Sequence, residues 1–334
     1  MILTTLPDLP PLPETNANAE FRRRFYSRWG KENAVICGQS TCAEYATMTQ
    51  ALSIKMAWRG RERYRLRHRE VSVDAENYLI LNEGSSYCSV LKAPRPAWTF
   101  AVFMRPGLQG EVRAERGLAL DAVLAQPEAG AEDGGFSEHL RPHDDLVSPV
   151  LRRICDGVLD GERSEEWLEG EIVLLLDGMF AAEAGAVRAL DKLARARPAA
   201  RVELARRLRL AADYIETCHA EPIDLESMAA AACLSRFHFV RLFKALYDVT
   251  PHTYLVRRRA AAACRLIQSG ECDPDRIALQ AGFGSRSSLR RGLARFGCSR
   301  PPDSVFLIPR RGADCASSAP ARRLPRPRLA GLRS

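Results

Sequence analysis

The chain has 334 residues, of which 46% are hydrophobic and 27% charged, with a formal net charge of +8. These proportions exclude a collagen-like or wholly disordered chain. No stretch approaches the roughly 18–20 uninterrupted apolar residues of a membrane span. Residues 1–7 lack the basic start and apolar run of a secretion signal, so the expected compartment is the cytoplasm, with no membrane partner. The charge is unevenly spread: residues 1–200 hold 25 basic and 29 acidic side chains, residues 201–308 hold 17 and 11, and residues 309–334 hold seven arginines against Asp314 alone. That asymmetry points to a polyanion as partner of the C-terminal part, with solvated surface charge as the competing explanation.

Residues 1–20 contain Pro and Asn and read as a mobile lead-in. From about Cys42 to Met104 the pattern is that of strands. Residues 78–81 (Tyr-Leu-Ile-Leu) and 98–103 (Trp-Thr-Phe-Ala-Val-Phe) are short, apolar and rich in aromatic and β-branched residues, between turns at 82–84 and at Pro94, Pro96 and Pro106. Strands recurring about every ten residues predict an antiparallel barrel or jelly roll over 20–146, with residues 108–146 mostly loop. Tyr64, Tyr78, Tyr87 and Trp58 are candidates to line an apolar pocket there, and Arg65, Arg67 and Arg69 to meet an anionic ligand; plain core and solvent exposure are the competing readings.

His68 is the one histidine of this strand region, no His-x-His or Cys-x-x-Cys occurs, and the ten cysteines read mainly as small buried hydrophobes. The chain is therefore expected to use no metal and no cofactor, and to have no catalytic residues. Cys37, Cys42 and Cys88 leave open a thiol-based alternative. From 147 to 200 the periodicity turns helical, with Trp167, Leu168, Ile172, Leu175, Leu176 and Met179 on one stripe, either core or a dimerisation surface.

Residues 220–305 nearly repeat themselves. Asp224 is placed to cap a short helix bearing Leu225, Met228 and Ala229. After the turn at Cys233-Leu234, Ser235 is placed to cap a second helix, with Phe239, Leu242, Phe243 and Leu246 at i, i+3, i+4 and i+7: a helix-turn-helix pattern. Fifty residues on, Asp273-Pro274 begins a helix with Ile277, Ala278 and Ala281, Gly282-Phe283 makes the turn, and Ser285 caps a helix with Leu289, Leu293 and Phe296. Phe239 corresponds to Leu289, Arg241 to Arg291, Phe243 to Leu293 and Pro251 to Pro301. Between the units, a helix from Thr250-Pro251 to near Gly270 forms a rod of about 25 Å, suited to hold two recognition helices near successive major grooves about 34 Å apart.

On the first recognition helix Arg236, Phe237, Val240 and Arg241 face away from the apolar stripe; on the second, Arg286, Ser287, Arg290 and Arg291 do. Arginine bonds bidentately to guanine O6 and N7, and apolar groups touch the thymine methyl. Lys244 and Arg257-Arg258-Arg259 are candidates for phosphate contacts. Gly292, mid-helix, costs roughly 1 kcal/mol relative to alanine and makes the second unit look weaker.

Residues 225–229 (Leu-Glu-Ser-Met-Ala), 239–244 (Phe-Val-Arg-Leu-Phe-Lys), 250–255 (Thr-Pro-His-Thr-Tyr-Leu) and 281–283 (Ala-Gly-Phe) resemble the DNA-binding domain of the arabinose-regulator (AraC/XylS-type) family of bacterial transcription regulators. Residues 78–84, 103–107 and 141–145 resemble the cupin-type sensor domain of one branch of that family. The resemblance implies a two-domain α+β protein: a cupin-like sensor barrel over 20–146, a helical connector over 147–200 and a double helix-turn-helix DNA-binding domain over 201–306. Residues 307–334, rich in Arg, Pro and Ala without an apolar period, are expected to be a disordered basic tail. The resemblance also implies a one-component transcription regulator, without enzymatic activity, whose partners are double-stranded DNA, a small-molecule effector, RNA polymerase and a second copy of itself. Two alternatives stand beside it: a barrel that is purely structural or binds protein, and a cysteine-based DNA-alkylation repair regulator.

Overall fold

The computed structural model describes residues 2–6, 23, 27–67, 69–115, 135–160, 164–193 and 197–297. His68, residues 116–134 of the expected loop, Pro301 and the basic tail lie outside them. The strands are β1 (Ile2–Leu6), β2 (Ala34–Thr49), β3 (Ser53–Arg59), β4 (Glu62–Leu66), β5 (Arg69–Val73), β6 (Asn77–Leu81), β7 (Ser86–Phe103) and β8 (Leu140–Pro142). Among the described residues they form one sheet in the order β1-β2-β7-β3-β6-β8, with β4 bridging β7 and β5. The long β7 organises it: residues 98–103 pair with β3 on one edge, residues 87–91 with β4, and both stretches pair with β2 on the other edge. The result is a nearly closed antiparallel barrel.

The strands' period of two sorts their side chains between two cores. Ile54, Met56, Trp58, Tyr78, Ile80, Phe100 and Val102 face helices α2 (Ser148–Asp160) and α3 (Glu165–Arg188), meeting Leu151, Ile154, Ile172, Leu175 and Met179. Ala57, Tyr64, Leu66, Val71, Val73, Leu79, Leu81 and Tyr87 fill the barrel interior. With both faces covered, β3 and β6 read as continuous apolar runs. A short helix α1 (Leu108–Glu115) follows β7. Two expectations need correction. Ile2–Leu6 is no free lead-in but pairs parallel to β2 through Ile2–Val35 and Leu3–Ile36. The barrel also begins at Ala34 rather than near Cys42, in a stretch (Gly38, Gln39, Ser40) too polar to announce a strand.

The remaining helices are α4 (Pro198–Cys218), α5 (Leu225–Ala231), α6 (Arg236–Tyr247), α7 (Pro251–Gln268), α8 (Pro274–Gln280) and α9 (Arg286–Phe296). A 3-10 turn, Ala189–Leu193, sends Leu190 and Leu193 into the core of α4, α5 and α6. The rod α7 serves two cores: Leu255 packs into the first helix-turn-helix unit, and Ala260, Ala262 and Ala263 into the second, with Ile277, Phe283 and Leu289. Its 18 residues span about 27 Å.

Candidate nucleic-acid interface

The first unit is built from its cap outward. The Asp224 carboxylate accepts the N–H of Ser227 at 2.8 Å, and the Asp224 N–H donates to the Ser227 hydroxyl at 3.1 Å, a reciprocal capping box. On α6, Phe239 and Phe243 are fully buried with ring centroids 5.3 Å apart, and Phe243 packs edge-on to Tyr254 of the rod. This anchoring fixes the rotation of α6 and turns Arg236, Phe237, Arg241 and Lys244 to solvent, with Val240 half-buried. Phe237 is 77% exposed, an unusual state for a phenylalanine. Together with Leu225, Arg236, Val240 and Arg241 it lines a shallow depression of about 500 Å³.

The second unit repeats the plan. Asp273 accepts from the N–H of Asp275 at 3.0 Å and Ser285 from that of Ser288 at 3.1 Å, starting α8 and α9. Gly282, at φ +83°, makes the turn, where a Cβ would lie 2.4 Å from the His219 carbonyl oxygen. Gly292, read from sequence as a weakness, is a packing requirement: a Cβ there would come within 2.7 Å of the Phe283 ring. Arg286, Ser287, Arg290 and Arg291 are all exposed. The Arg286 Nε and Nη2 donate to the two carboxylate oxygens of Asp275, a residue that sequence reasoning passed over.

The arginine triplet does not meet its expectation. Arg257 is exposed, but Arg258 is 4% exposed and held by Asp74 of the barrel and Glu216 of α4, each at 2.5 Å. Arg259 donates to the carbonyls of His219 and Glu221 at 2.6 and 2.7 Å. Burial alone would raise the Asp74 carboxyl, but the guanidiniums of Arg258, Arg265 and Arg61 hold it well below the usual carboxylate range. Around this hub, Asp213 of α4 accepts from Arg69 and from the Leu140 N–H, and the Thr217 hydroxyl accepts the N–H of Ser72 at 3.1 Å. The barrel and the helical half are joined by charge across residues far apart in the chain.

Of the four aromatics expected to line one pocket, Tyr64 and Tyr87 share the barrel interior, with ring centroids 5.9 Å apart. Trp58 and Tyr78 face the helices instead, because their positions fall on the opposite face of their strands. Arg69 is committed to Asp213, whereas Arg65 lies 3.7 Å from Glu70 at the surface. The interior also holds two charged groups that were missed. The Lys55 ammonium sits 3.5 Å from the centre of the Phe103 ring, and burial pushes its pKa down to about 7, against the opposing pull of Glu62. Glu62 is itself raised by burial, partly offset by hydrogen bonds from Ser89 and Tyr64. A lysine inside the apolar run 53–58 was the available signal. The three cysteines are not brought together: Cys37 lies opposite Phe100, Cys42 opposite Lys92 and Cys88 opposite Arg65. Burial pushes the Cys37 thiol up to about 12, which keeps it protonated.

Residues 228–301 match a family model described as a helix-turn-helix domain. The chain is 30% identical over 96 residues to the probable transcriptional regulator LumQ of Photobacterium leiognathi, covering 29% of this chain and 39% of LumQ. It is 29% identical over 75 residues to the HTH-type transcriptional regulator AlkR of Acinetobacter baylyi, covering 22% of this chain and 24% of AlkR. These matches span well under half the length of each relative. Among solved structures, ToxT from Vibrio cholerae aligns over 83% of this chain and 98% of its own, at 10% identity and a TM-score of 0.32. Residues 228–301 thus carry a helix-turn-helix domain, and the likeness to these transcriptional regulators is confined to part of the chain.

Proposed function

We propose that the chain is a one-component transcription regulator that binds DNA sequence-specifically through α6 and α9, with its barrel as the sensor of a small molecule. The observation that carries this reading is the pair of exposed, arginine-bearing helices mounted on one rod, each oriented by its own buried core. Recognition helices of this kind lay their N-terminal residues against base edges in the major groove. Arg236, Arg241, Arg290 and Arg291 suit guanine, Phe237 and Val240 suit the thymine methyl, and Lys244 suits phosphate. The names of LumQ and AlkR agree with a regulatory role. The barrel interior, with Lys55, Glu62, Tyr64 and Tyr87, offers polar groups among apolar walls, as an effector pocket does. The hub of Asp74, Arg258 and Glu216 gives effector binding a route to the rod.

The same reading includes a homodimer, a contact to RNA polymerase and a cytoplasmic site of action. Leu174 on α3 and Leu146 just before α2, 47% and 48% exposed, offer apolar surface for a second copy. Among the described residues no helix is long and apolar enough to cross a membrane.

Selection of bound duplexes from a random oligonucleotide pool by the full chain, with and without metabolite mixtures, tests the proposal. Enrichment of a motif with two elements about one helical turn apart is expected. A pool without enrichment under both conditions refutes it.

A further inference from the structure

The two units present different chemistry at equivalent positions. Arg236 and Arg286 are each the first residue of a recognition helix, fifty positions apart. At the position equivalent to Asp275, the first unit has Leu225. Among the described residues Arg236 has no ion-pair partner and borders the apolar depression of Leu225, Phe237 and Val240. Arg286 is bound through two parallel hydrogen bonds to Asp275, across the turn between α8 and α9.

That pair is exposed on both sides, 63% for each side chain, so it adds little to stability. Its consequence lies in geometry. A guanidinium carries five N–H donors in a rigid plane, and Asp275 engages the side formed by Nε and Nη2. The end-on fork, one N–H from Nη1 and one from Nη2, stays unused and points away from the carboxylate. That fork offers two parallel N–H groups, which can match O6 and N7 of guanine. The carboxylate also neutralises the guanidinium and repels phosphate, which disfavours a backbone role for Arg286. An arginine held by a fixed partner loses less side-chain freedom on binding than an unrestrained one.

We propose that Asp275 is a positioning residue that holds Arg286 with its end-on fork directed at a guanine, so that the second unit reads guanine at this position with a fixed arginine, whereas in the first unit Leu225 stands in place of the carboxylate and leaves Arg236 without such a hold. This rests on the DNA-binding function proposed above and assigns the base class that one position recognises.

The test uses the full chain, D275N and R286A in parallel selections from random duplexes. The wild-type site is then resynthesised with 7-deazaguanine, which lacks N7, at the guanine whose preference R286A abolishes. The 7-deazaguanine duplex is expected to bind wild type about tenfold more weakly. D275N is expected to lose about tenfold in preference for that guanine while binding bulk DNA as well as wild type or better, because one negative charge facing the phosphates is gone. A structural defect would lower both affinities together; an unchanged melting temperature confirms that D275N folds. Retention of the full guanine preference by D275N, or an R286A variant that changes no base preference, overturns the inference while leaving sequence-specific binding intact. A wild-type chain that selects no motif overturns the DNA-binding reading, and this one with it.

Discussion

Replacing Asp74 by Asn probes the charge hub that joins the barrel to the rod. Arg258 is 4% exposed and its guanidinium is shared between Asp74 and Glu216, so the substitution leaves a buried cation with one carboxylate in place of two. Removing the sole partner of a buried ion pair costs about 3–5 kcal/mol. Glu216 remains at 2.5 Å and itself accepts from Tyr254 at 2.8 Å, which cushions the loss, while Arg61 and Arg265, 3.9 and 3.8 Å from Asp74, lose a neighbour. We therefore expect D74N to lose about 2–3 kcal/mol. Urea unfolding followed by tryptophan fluorescence and far-ultraviolet circular dichroism measures it. All four tryptophans lie in the first 167 residues, so fluorescence reports the barrel and α3 region and dichroism the helical half as well. If the hub couples the halves, the two probes coincide in wild type and separate in D74N, and a cycle with R258Q gives a coupling energy of about 1–3 kcal/mol. A D74N midpoint within about 0.5 kcal/mol of wild type, with coincident probes, would refute the reasoning.

Arg241→Ala, at an exposed position on α6, should cost about 1–3 kcal/mol in binding to a selected duplex and leave the melting temperature unchanged; unaltered affinity and base preference would remove Arg241 from the interface. Gly292→Ala gains about 1 kcal/mol in helix propensity but sets a methyl 2.7 Å from the Phe283 ring. Overpacking of about 1–3 kcal/mol should outweigh the gain, so calorimetry should find a less stable second unit, and a more stable one would show that the ring yields. His219 is buried, and burial with Arg258 nearby lowers its pKa from 6.5 to about 3. Between those values the unfolded chain binds the proton and the folded chain does not, so this group's contribution to stability falls as pH falls. Wild type should lose about 1.4 kcal/mol per pH unit relative to H219Q below pH 6.5; a difference that stays constant from pH 7 to 5 in denaturant titrations would contradict this.

The helical half was legible because its information is local. Asp224, Thr250, Asp273 and Ser285 each accept from an N–H in the first turn that follows, and all four are residue types that favour this over helix interiors. Ser235, expected to do the same, stands at the N-cap of α6 without a side-chain capping bond. The offset of fifty aligns the burial of Phe239 with that of Leu289 and the exposure of Arg241 with that of Arg291. The barrel was legible only in its most apolar strands. β2 carries Gly38, Gln39 and Ser40 and is recruited by pairing along the whole of β7, a tertiary effect with no signature of its own. Trp58 and Tyr64 were grouped by type, whereas the turn between β3 and β4 sends them to opposite faces. Asp74 and Arg258 are 184 residues apart, and nothing in their neighbours tells a buried ion pair from two solvated charges.

The same distinction changes the meaning of the basic C-terminal composition. The excess of 17 basic over 11 acidic residues in 201–308 suggested a general attraction to polyanions. Much of it is spent internally. Arg258 and Arg265 are tied to Asp74 and Glu76, Arg259 to backbone carbonyls, Arg209 to the Ser137 hydroxyl, and Arg206 and Arg207 to Glu203. Among the described residues, the solvent-facing cations of the two units that have no ion-pair partner are concentrated on α6 and α9, at Arg236, Arg241, Lys244, Arg290, Arg291 and Arg295, with Arg257 on the rod. Arg276 on α8 lies near Glu271. A surface with few cations at defined helical positions draws less on counterion release and more on the fit of individual side chains to base edges. Composition alone favoured nonspecific attraction; the placement of the charges favours reading a sequence.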